Sequence, residues 1–410
     1  MKVAGGGFRL ALVGPFPPPA GGMANQTKQL EELLRSEGIS VEVVRHNRPY
    51  APACLGRLPW VRALGRLIPY MWDLWKAGER ASIFHVMANS GWSWHLFAAP
   101  AIVIARLRKV AVVVNYRGGE AEQFFRRSYF FVRPVLRLAD ALVVPSGFLH
   151  EVFGRRGVQA QVVPNIVDTD RFRTGPEAAD SDLRGAHLVV ARNLEAIYDN
   201  ATAVRAFRLV KDHVPEARLT IAGTGPAAPA LHRLVEELGL ADAVVFAGQV
   251  ENTRMPELYR SAAVAINPSL VDNMPISVLE ALASGVPVVS TDVGGIPYLV
   301  EDGRTALLVP PGEPARMADA VLRLLRDSGL AERLAEAGQA AVLDYSWDRV
   351  RDRLFAVYEH AWTVARTRRG CTEPPIEGIG TERSAADDNR RIPRAPGHVA
   401  PPGSDDGGES

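Results

Sequence analysis

The 410-residue chain is 47% hydrophobic and 23% charged, an ordinary folded composition, and its length suits two domains of roughly 150–200 residues. Cys54 and Cys371 are too far apart in sequence to propose a disulfide framework or a metal-ligand set, so a reducing cytoplasm is the default reading. The opening Met1–Gly7 does not read as a signal peptide, and no apolar run reaches the ~18–20 residues of a membrane span.

Phe8–Gly14 is an apolar run that ends in the loop GPFPPPAGGM. A helical pattern over Asn25–Ser36 and a second strand over Ser40–Arg45 follow, which makes a strand–loop–helix–strand unit of the parallel type. Further apolar runs at Ile83–Met87, Val110–Asn115, Ala141–Pro145 and Gln161–Val163 alternate with helical segments and predict a doubly wound first domain. The pattern restarts after the polar stretch Asp168–Asp182. Ala186–Ala191, Arg218–Ala222, Ala243–Phe246, Val264–Asn267, Pro287–Ser290 and Thr305–Val309 read as the strands of a second such domain. Ser346–Ala365 reads as a final amphipathic helix, and the Pro/Gly/Ser/Asp-rich chain beyond it as a disordered tail. The expected division is 1–167, a linker 168–182, 183–345, a closing helix 346–366 and the tail 370–410. The fold class is α/β, two tandem Rossmann-like domains, which places ligands at the C-terminal strand ends.

The net charge of +1 conceals an asymmetry: residues 1–175 hold 23 Lys and Arg against 12 acids, and the remainder 24 against 34. The first half should therefore attract anions. Within it, Arg57–Arg80 interleaves Arg57, Arg62, Arg66 and Lys76 with Trp60, Tyr70, Trp72 and Trp75, and Phe124–Arg137 repeats the theme. Such segments suit an anionic membrane surface; ordinary helices with their tryptophans turned to the core would look the same.

The most informative stretch is INPSLVDNMPISVLEALASGVPVVSTDVGGIPYLVEDGRTALLVPPG, Ile266–Gly312. Pro275 suits the first turn of a helix that Asp272 or Asn273 would cap, and the unpaired N–H groups of that end suit a diphosphate. This stretch resembles the signature of glycosyltransferase family 4, retaining enzymes of the GT-B fold. The family carries two acids separated by seven residues, a small-residue helix, a Gly-x-Pro-Val-Val strand and a Gly-Gly turn. Here the acids are Asp272 and Glu280, with Asp where the family more often has Glu. The resemblance extends more weakly over about residues 8–365, through Asn165-Ile-Val-Asp168 with Phe172 and through Tyr345-Ser-Trp347.

The resemblance implies an acceptor-side first domain and a nucleotide-sugar-binding second domain. It assigns Glu280 to the donor ribose, Asp272 to the transferred sugar and Arg192 to the donor phosphates. Asn273, Met274, Pro275, Gly223, Gly225 and Gly22 are the remaining donor-side candidates, and Gly21, Arg117 and Glu120 the acceptor-side ones. Two departures stand out. The family's phosphate-binding Lys is missing where Ile197 and Tyr198 stand, and no His occupies Asn115–Glu120, so no catalytic histidine is assigned.

Asp168-Thr-Asp170 spells a metal motif of a different glycosyltransferase fold but falls in the linker. GT-B enzymes generally need no bound metal, so the resemblance implies neither metal nor other cofactor, and the nine histidines show no paired metal spacing on one helix face. The implied function is retaining transfer of a sugar from a nucleotide-sugar donor to a carbohydrate or lipid-linked acceptor. The setting would be cell-surface polysaccharide or glycolipid synthesis, in the cytoplasm or on the inner face of the membrane. The rivals are an acceptor-independent GT-B epimerase or hydrolase and a catalytically weak sugar-nucleotide-binding partner in an assembly complex. A nucleic-acid partner is disfavoured by the acidic second half.

Overall fold

The computed structural model describes residues 8–18, 21–47, 59–173 and 185–370, with the backbone alone described for 59–64. The expectations for Cys54, Cys371, Arg57, the side chains of Trp60 and Arg62, residues 174–182 of the linker and the tail from 371 lie outside the described residues.

Two six-stranded parallel sheets form the molecule. The first has strands β1 (Arg9–Gly14), β2 (Ser40–Arg45), β3 (Ile83–Ala88), β4 (Ala111–Tyr116), β5 (Ala141–Val144) and β6 (Gln161–Val162), in the order β2-β1-β3-β4-β5-β6. Between them run helices α1 (Gly22–Ser36), α2 (Pro59–Arg80), α3 (Ala99–Leu107), α4 (Ala121–Leu136) and α5 (Gly147–Gly154), and the short α6 (Thr169–Phe172) leads to the second domain. That domain has β7 (His187–Ala191), β8 (Arg218–Ala222), β9 (Val244–Gly248), β10 (Val264–Asn267), β11 (Val288–Thr291) and β12 (Leu307–Val309), in the order β12-β11-β10-β7-β8-β9. Its helices are α7 (Asn200–His213), α8 (Ala228–Glu237), α9 (Met255–Arg260), α10 (Ile276–Ala283), α11 (Pro314–Arg326) and α12 (Ser328–Val342). The chain closes with α13 (Trp347–Arg368).

β3 and β4 are buried along their whole length, as strands covered by helices on both faces must be. The strands fall where the apolar runs predicted them. Helix α1 begins at Gly22, three residues before the expected Asn25, because Gly21 takes an extended conformation and lets the loop turn directly into the helix.

The last helix returns to the first domain. Val350, Leu354, Val357, Tyr358, Ala361 and Ala365 form one stripe against Leu10, Leu12, Ile83 and Val113 of the first sheet. Tyr358 hydroxyl meets His85 Nδ1 at 2.8 Å, and Asn115 Nδ2 meets His85 Nε2 at 3.0 Å. Asn115 Nδ2 is a donor, so Nε2 accepts and the proton sits on Nδ1. Burial, with the Arg117 charge adding to it, lowers the His85 pKa to about 3, so the ring is neutral. Arg368 pairs with Asp140, which also accepts from Arg106 at 3.1 Å and from the Val112 amide at 2.9 Å.

The other face of the first sheet carries α2 to α5. On α2, Tyr70, Leu74 and Ala77 turn inward, whereas Ile68, Met71, Trp72 and Trp75 stay exposed. Arg108 lies over Trp75 and Lys76 over Trp72. On α4, Phe130 is 84% and Phe131 68% exposed. These aromatics are surface residues, which decides against the core reading for Trp72 and Trp75. No helix among the described residues is long and apolar enough to cross a membrane.

Candidate active site

Each sheet has a point where strand order reverses, between β1 and β3 in the first and between β7 and β10 in the second. Loops leaving the strands there diverge and open a crevice. The two crevices face each other across a cleft of about 1520 Å³ lined by both domains. Gly21, Gly22, Ser90, Gly91, Arg117 and Glu120 line it from one side, and Arg192, Gly223, Asp272, Pro275 and Glu280 from the other.

Arg192 follows β7 and Asp272 lies in the loop after β10, so the pairing of β7 with β10 brings these distant residues together. Arg192 Nη2 donates to Asp272 Oδ2 at 2.6 Å, with both side chains nearly buried. Arg192 Nη1 reaches Ser277 Oγ at 3.4 Å, and the guanidinium lies 4.0 Å from the centre of the Tyr198 ring. Asp272 Oδ1 accepts from the Asn273 amide at 2.9 Å. Beneath it, Ser269 Oγ lies 3.1 Å from Asp272 Oδ2 and 2.9 Å from Asn267 Oδ1, sharing one proton between two acceptors. Thr291 Oγ1 holds the Ser269 carbonyl at 2.6 Å. A buried polar strut therefore fixes Asp272 from below.

The helix after Asp272 differs from expectation. α10 starts at Ile276, and Pro275 is itself the cap residue, with ψ of 120° and no side-chain capping bond. Asp272 and Asn273 do not cap it, because their oxygens are committed to Arg192, Ser269, the Asn273 amide and Ser146. The Ile276 and Ser277 amides, at the cleft wall, are left for a ligand or water. The other end closes at Gly285, whose amide bonds the Leu282 carbonyl while the Val286 amide bonds the Ala281 carbonyl. With φ of +65° at Gly285, this is a Schellman turn.

Glu280 also lines the cleft, and Tyr259 hydroxyl donates to its Oε2 at 3.3 Å. Burial raises its carboxyl to about 7; the Arg171 charge and the Tyr259 bond offset only part of that.

Gly223 and Gly225 are explained by packing. A Cβ at Gly223 would run into the Arg192 carbonyl, and one at Gly225 into that of Leu194. Both glycines therefore let the β8 turn lie against the loop carrying Arg192, and Gly225 is not on the cleft wall. Gly294 and Gly295 do the same beneath the Asp272 and Asn273 carbonyls. Gly21 and Gly22 instead have open space where a Cβ would stand.

Asn273 and Met274 turn toward the first domain. Ser146 Oγ donates to Asn273 Oδ1, and Asn165 binds Met274 through Nδ2 to the carbonyl at 2.8 Å and through its amide to Sδ at 3.2 Å. Arg117, expected at the acceptor, is committed instead to Asn115 Oδ1 at 3.1 Å and Asn165 Oδ1 at 2.5 Å, with Gln26 at 3.4 Å. Burial pulls its pKa down to about 10. It supports the domain junction from the cleft wall. Glu120 remains exposed at the start of α4. Asp168 accepts from the Arg171 amide and caps α6. Among the described residues no group of three His, Cys, Asp or Glu is placed to hold a metal ion.

Sequence reasoning missed Tyr198, Tyr259, Ser269, Arg171 and Ser146, and noted Asn165 only as part of the interdomain segment. Of the missed residues, Tyr198 left a local sign, as an aromatic standing where a lysine was expected.

Comparison with known proteins gives matches over both halves. Residues 20–171 match the family described as Glycosyltransferase Family 4, and residues 185–327 match Glycosyl transferases group 1. The chain is 33% identical over 251 residues to a D-inositol 3-phosphate glycosyltransferase of Acidothermus cellulolyticus, covering 57% of this chain and 56% of that protein. It is 34% identical over 209 residues to a GDP-mannose-dependent alpha-(1-6)-phosphatidylinositol monomannoside mannosyltransferase of Mycobacterium tuberculosis, covering 47% and 54%. In both cases the chain spans just over half the length of the relative. Among solved structures it resembles sucrose-phosphate synthase of Thermosynechococcus elongatus, with a TM-score of 0.69 at 18% identity over 87% of this chain and 99% of that one. Anabaena HepE in complex with UDP and glucose gives 0.67 at 16%, over 86% and 100%. The fold is the two-domain GT-B arrangement.

Proposed function

Because the chain belongs to the family 4, group 1 glycosyltransferases, we propose that it is a retaining glycosyltransferase that moves a sugar from a nucleotide-sugar donor to a carbohydrate or lipid-linked acceptor. One observation carries the reading: Arg192, Asp272, Glu280 and the open amide end of α10 share one wall of the interdomain cleft.

In this reading the donor diphosphate lies against the Ile276 and Ser277 amides and Arg192, where the positive end of the helix and the guanidinium stabilise charge on the leaving group. Glu280 accepts from the ribose hydroxyls. Asp272 faces the sugar and supports positive charge at the carbon being transferred. The acceptor enters from the Gly21–Gly22 and Glu120 side, and domain closure holds its hydroxyl close to that carbon. The reaction uses no bound metal, which activity surviving chelation would test.

The names of the relatives, inositol 3-phosphate and phosphatidylinositol glycosyltransferases, favour a polyol or glycolipid acceptor. The exposed Trp72, Trp75, Phe130 and Phe131 among the cations of α2 and α4 favour work at the anionic inner face of a membrane.

Thermal shift against UDP-, GDP- and ADP-sugars should identify one donor that raises the melting temperature. Nucleotide release should then require an acceptor. If no donor stabilises the protein, the reading fails; release without any acceptor favours an epimerase or hydrolase instead.

A further inference from the structure

Among the described residues the cleft is lined by few cations. The cationic side chains lining the cleft are Lys28, Arg117, Arg171 and Arg192. Lys28 pairs with Glu32 on the far side, Arg117 is committed to Asn115 and Asn165, and Arg171 lies over Phe172 with its charge directed at Glu280. Arg192 stands beside the open end of α10, and Asp272 already shares its charge. A diphosphate approaching this guanidinium competes with a carboxylate 2.6 Å away. Something other than the carboxylate must keep the guanidinium in place during that exchange.

Tyr198 is built to do so. Its ring covers one face of the guanidinium at 4.0 Å and lines the cleft. The ring's own position is fixed from two directions. The preceding carbonyl, of Ile197, accepts from the Leu270 amide at 2.9 Å, which ties the turn to the loop that carries Asp272. The following residue, Asp199, takes the left-handed conformation at φ +39°; its Oδ1 caps α7 by accepting from the Thr202 amide at 3.3 Å, and its Oδ2 accepts from the Thr202 hydroxyl at 2.6 Å. A left-handed non-glycine residue persists only where its surroundings hold it. Arg192 Nε is buried and has no acceptor among the described residues, so the guanidinium is not fully committed in the ligand-free protein.

We infer that Tyr198 is a positioning residue that holds Arg192 flat against its ring, keeping this guanidinium aimed at the donor diphosphate. Cation–π contact is insensitive to which anion the guanidinium meets, so the hold survives the exchange of carboxylate for phosphate. The inference rests on the glycosyltransferase reading above.

The test is calorimetric titration of the full chain with UDP and GDP, and with uridine and guanosine as controls, beside melting curves. Tyr198→Leu should weaken diphosphate binding about three- to tenfold while leaving nucleoside binding and melting near wild type. Tyr198→Phe, which keeps the ring, should restore wild-type affinity. In an Arg192→Gln background Tyr198→Leu should have no further effect, since the ring acts only through the guanidinium. If Leu proves unstable, Tyr198→Met fills the same space without a ring and serves in its place. Equal losses for nucleoside and diphosphate, a Phe variant as weak as Leu, or full additivity with Arg192→Gln would each overturn the inference. A wild type that binds neither nucleotide sinks the glycosyltransferase reading itself, and this inference with it.

Discussion

Replacing Asp272 by Asn should produce opposite effects on the empty and the liganded protein. Asp272 accepts from Arg192 Nη2, Ser269 Oγ and the Asn273 amide. An asparagine has one acceptor oxygen, so its amide must face either the guanidinium or the Asn273 N–H, donor against donor. A hydrogen bond to a charged group contributes about 1.5–3 kcal/mol. Stranding a buried cation costs about 3–5 kcal/mol in the worst case. Arg192 opens on the cleft and keeps its contact with Tyr198, so the net loss should be about 2–3 kcal/mol. At roughly 2–4 °C per kcal/mol for a domain of this size, the empty protein should melt about 4–12 °C lower. The liganded protein should gain. A carboxylate about 6 Å from a phosphate charge repels it by about 3 kcal/mol at an effective dielectric constant near 20. Counter-ions and water in an open cleft reduce this to about 1 kcal/mol, equivalent to roughly three- to tenfold tighter nucleoside diphosphate binding. Turnover should nevertheless fall on the order of 10²-fold, because the charge proposed to support the reacting carbon is gone. Melting curves with and without UDP or GDP, calorimetry and turnover at saturating donor read all three. An Asn variant that melts like wild type and binds nucleotide no tighter would show that Asp272 does not balance Arg192.

Three further outcomes are expected. Burial lifts the Glu280 carboxyl from its ordinary 4.5 to about 7, so between those values the folded chain holds a proton the unfolded chain has released; stability from this group falls as pH rises through that window, nucleotide affinity rises through 7, and a Glu280→Gln variant that keeps either trend would refute the assignment. Gly223→Ala puts a Cβ against the Arg192 carbonyl at a φ of +150°, so it should cost roughly 1–3 kcal/mol and weaken diphosphate binding together, and a neutral melting curve would contradict the packing. Replacing Trp72, Trp75, Phe130 and Phe131 with Ser should abolish cosedimentation with phosphatidylglycerol vesicles without lowering the melting temperature; a wild type that never cosediments at low salt removes the membrane from the account.

The two sheets were legible because parallel strands leave short apolar runs between glycine-rich loops, and the family signature pointed to residues that share one wall of the cleft. What stayed hidden was commitment. Arg117 reads as an available loop cation, yet its partners Gln26, Asn115 and Asn165 come from three separate parts of the chain. Asp272 reads as a cap because no local pattern reveals that β7 and β10 are neighbours. Helix α2 has two apolar stripes, one with Tyr70 and Leu74 and one with Trp72 and Trp75, and periodicity alone does not say which faces the sheet. Tyr198 was visible only as a missing lysine.

The return of α13 to the first sheet also sets an order of events during synthesis. The face formed by Leu10, Leu12, Ile83 and Val113 is finished by residues 347–368, the last helix of the described chain to leave the ribosome. At about 5–20 residues per second, nearly 200 residues separate the end of the first sheet from its covering helix, a delay on the order of 10–40 s. The second domain has a core of its own and can fold meanwhile. The domain made first is therefore completed last, and a nascent chain stalled before Trp347 presents a sheet face covered only in part, by Leu30 and Leu34 of α1, to chaperones and proteases.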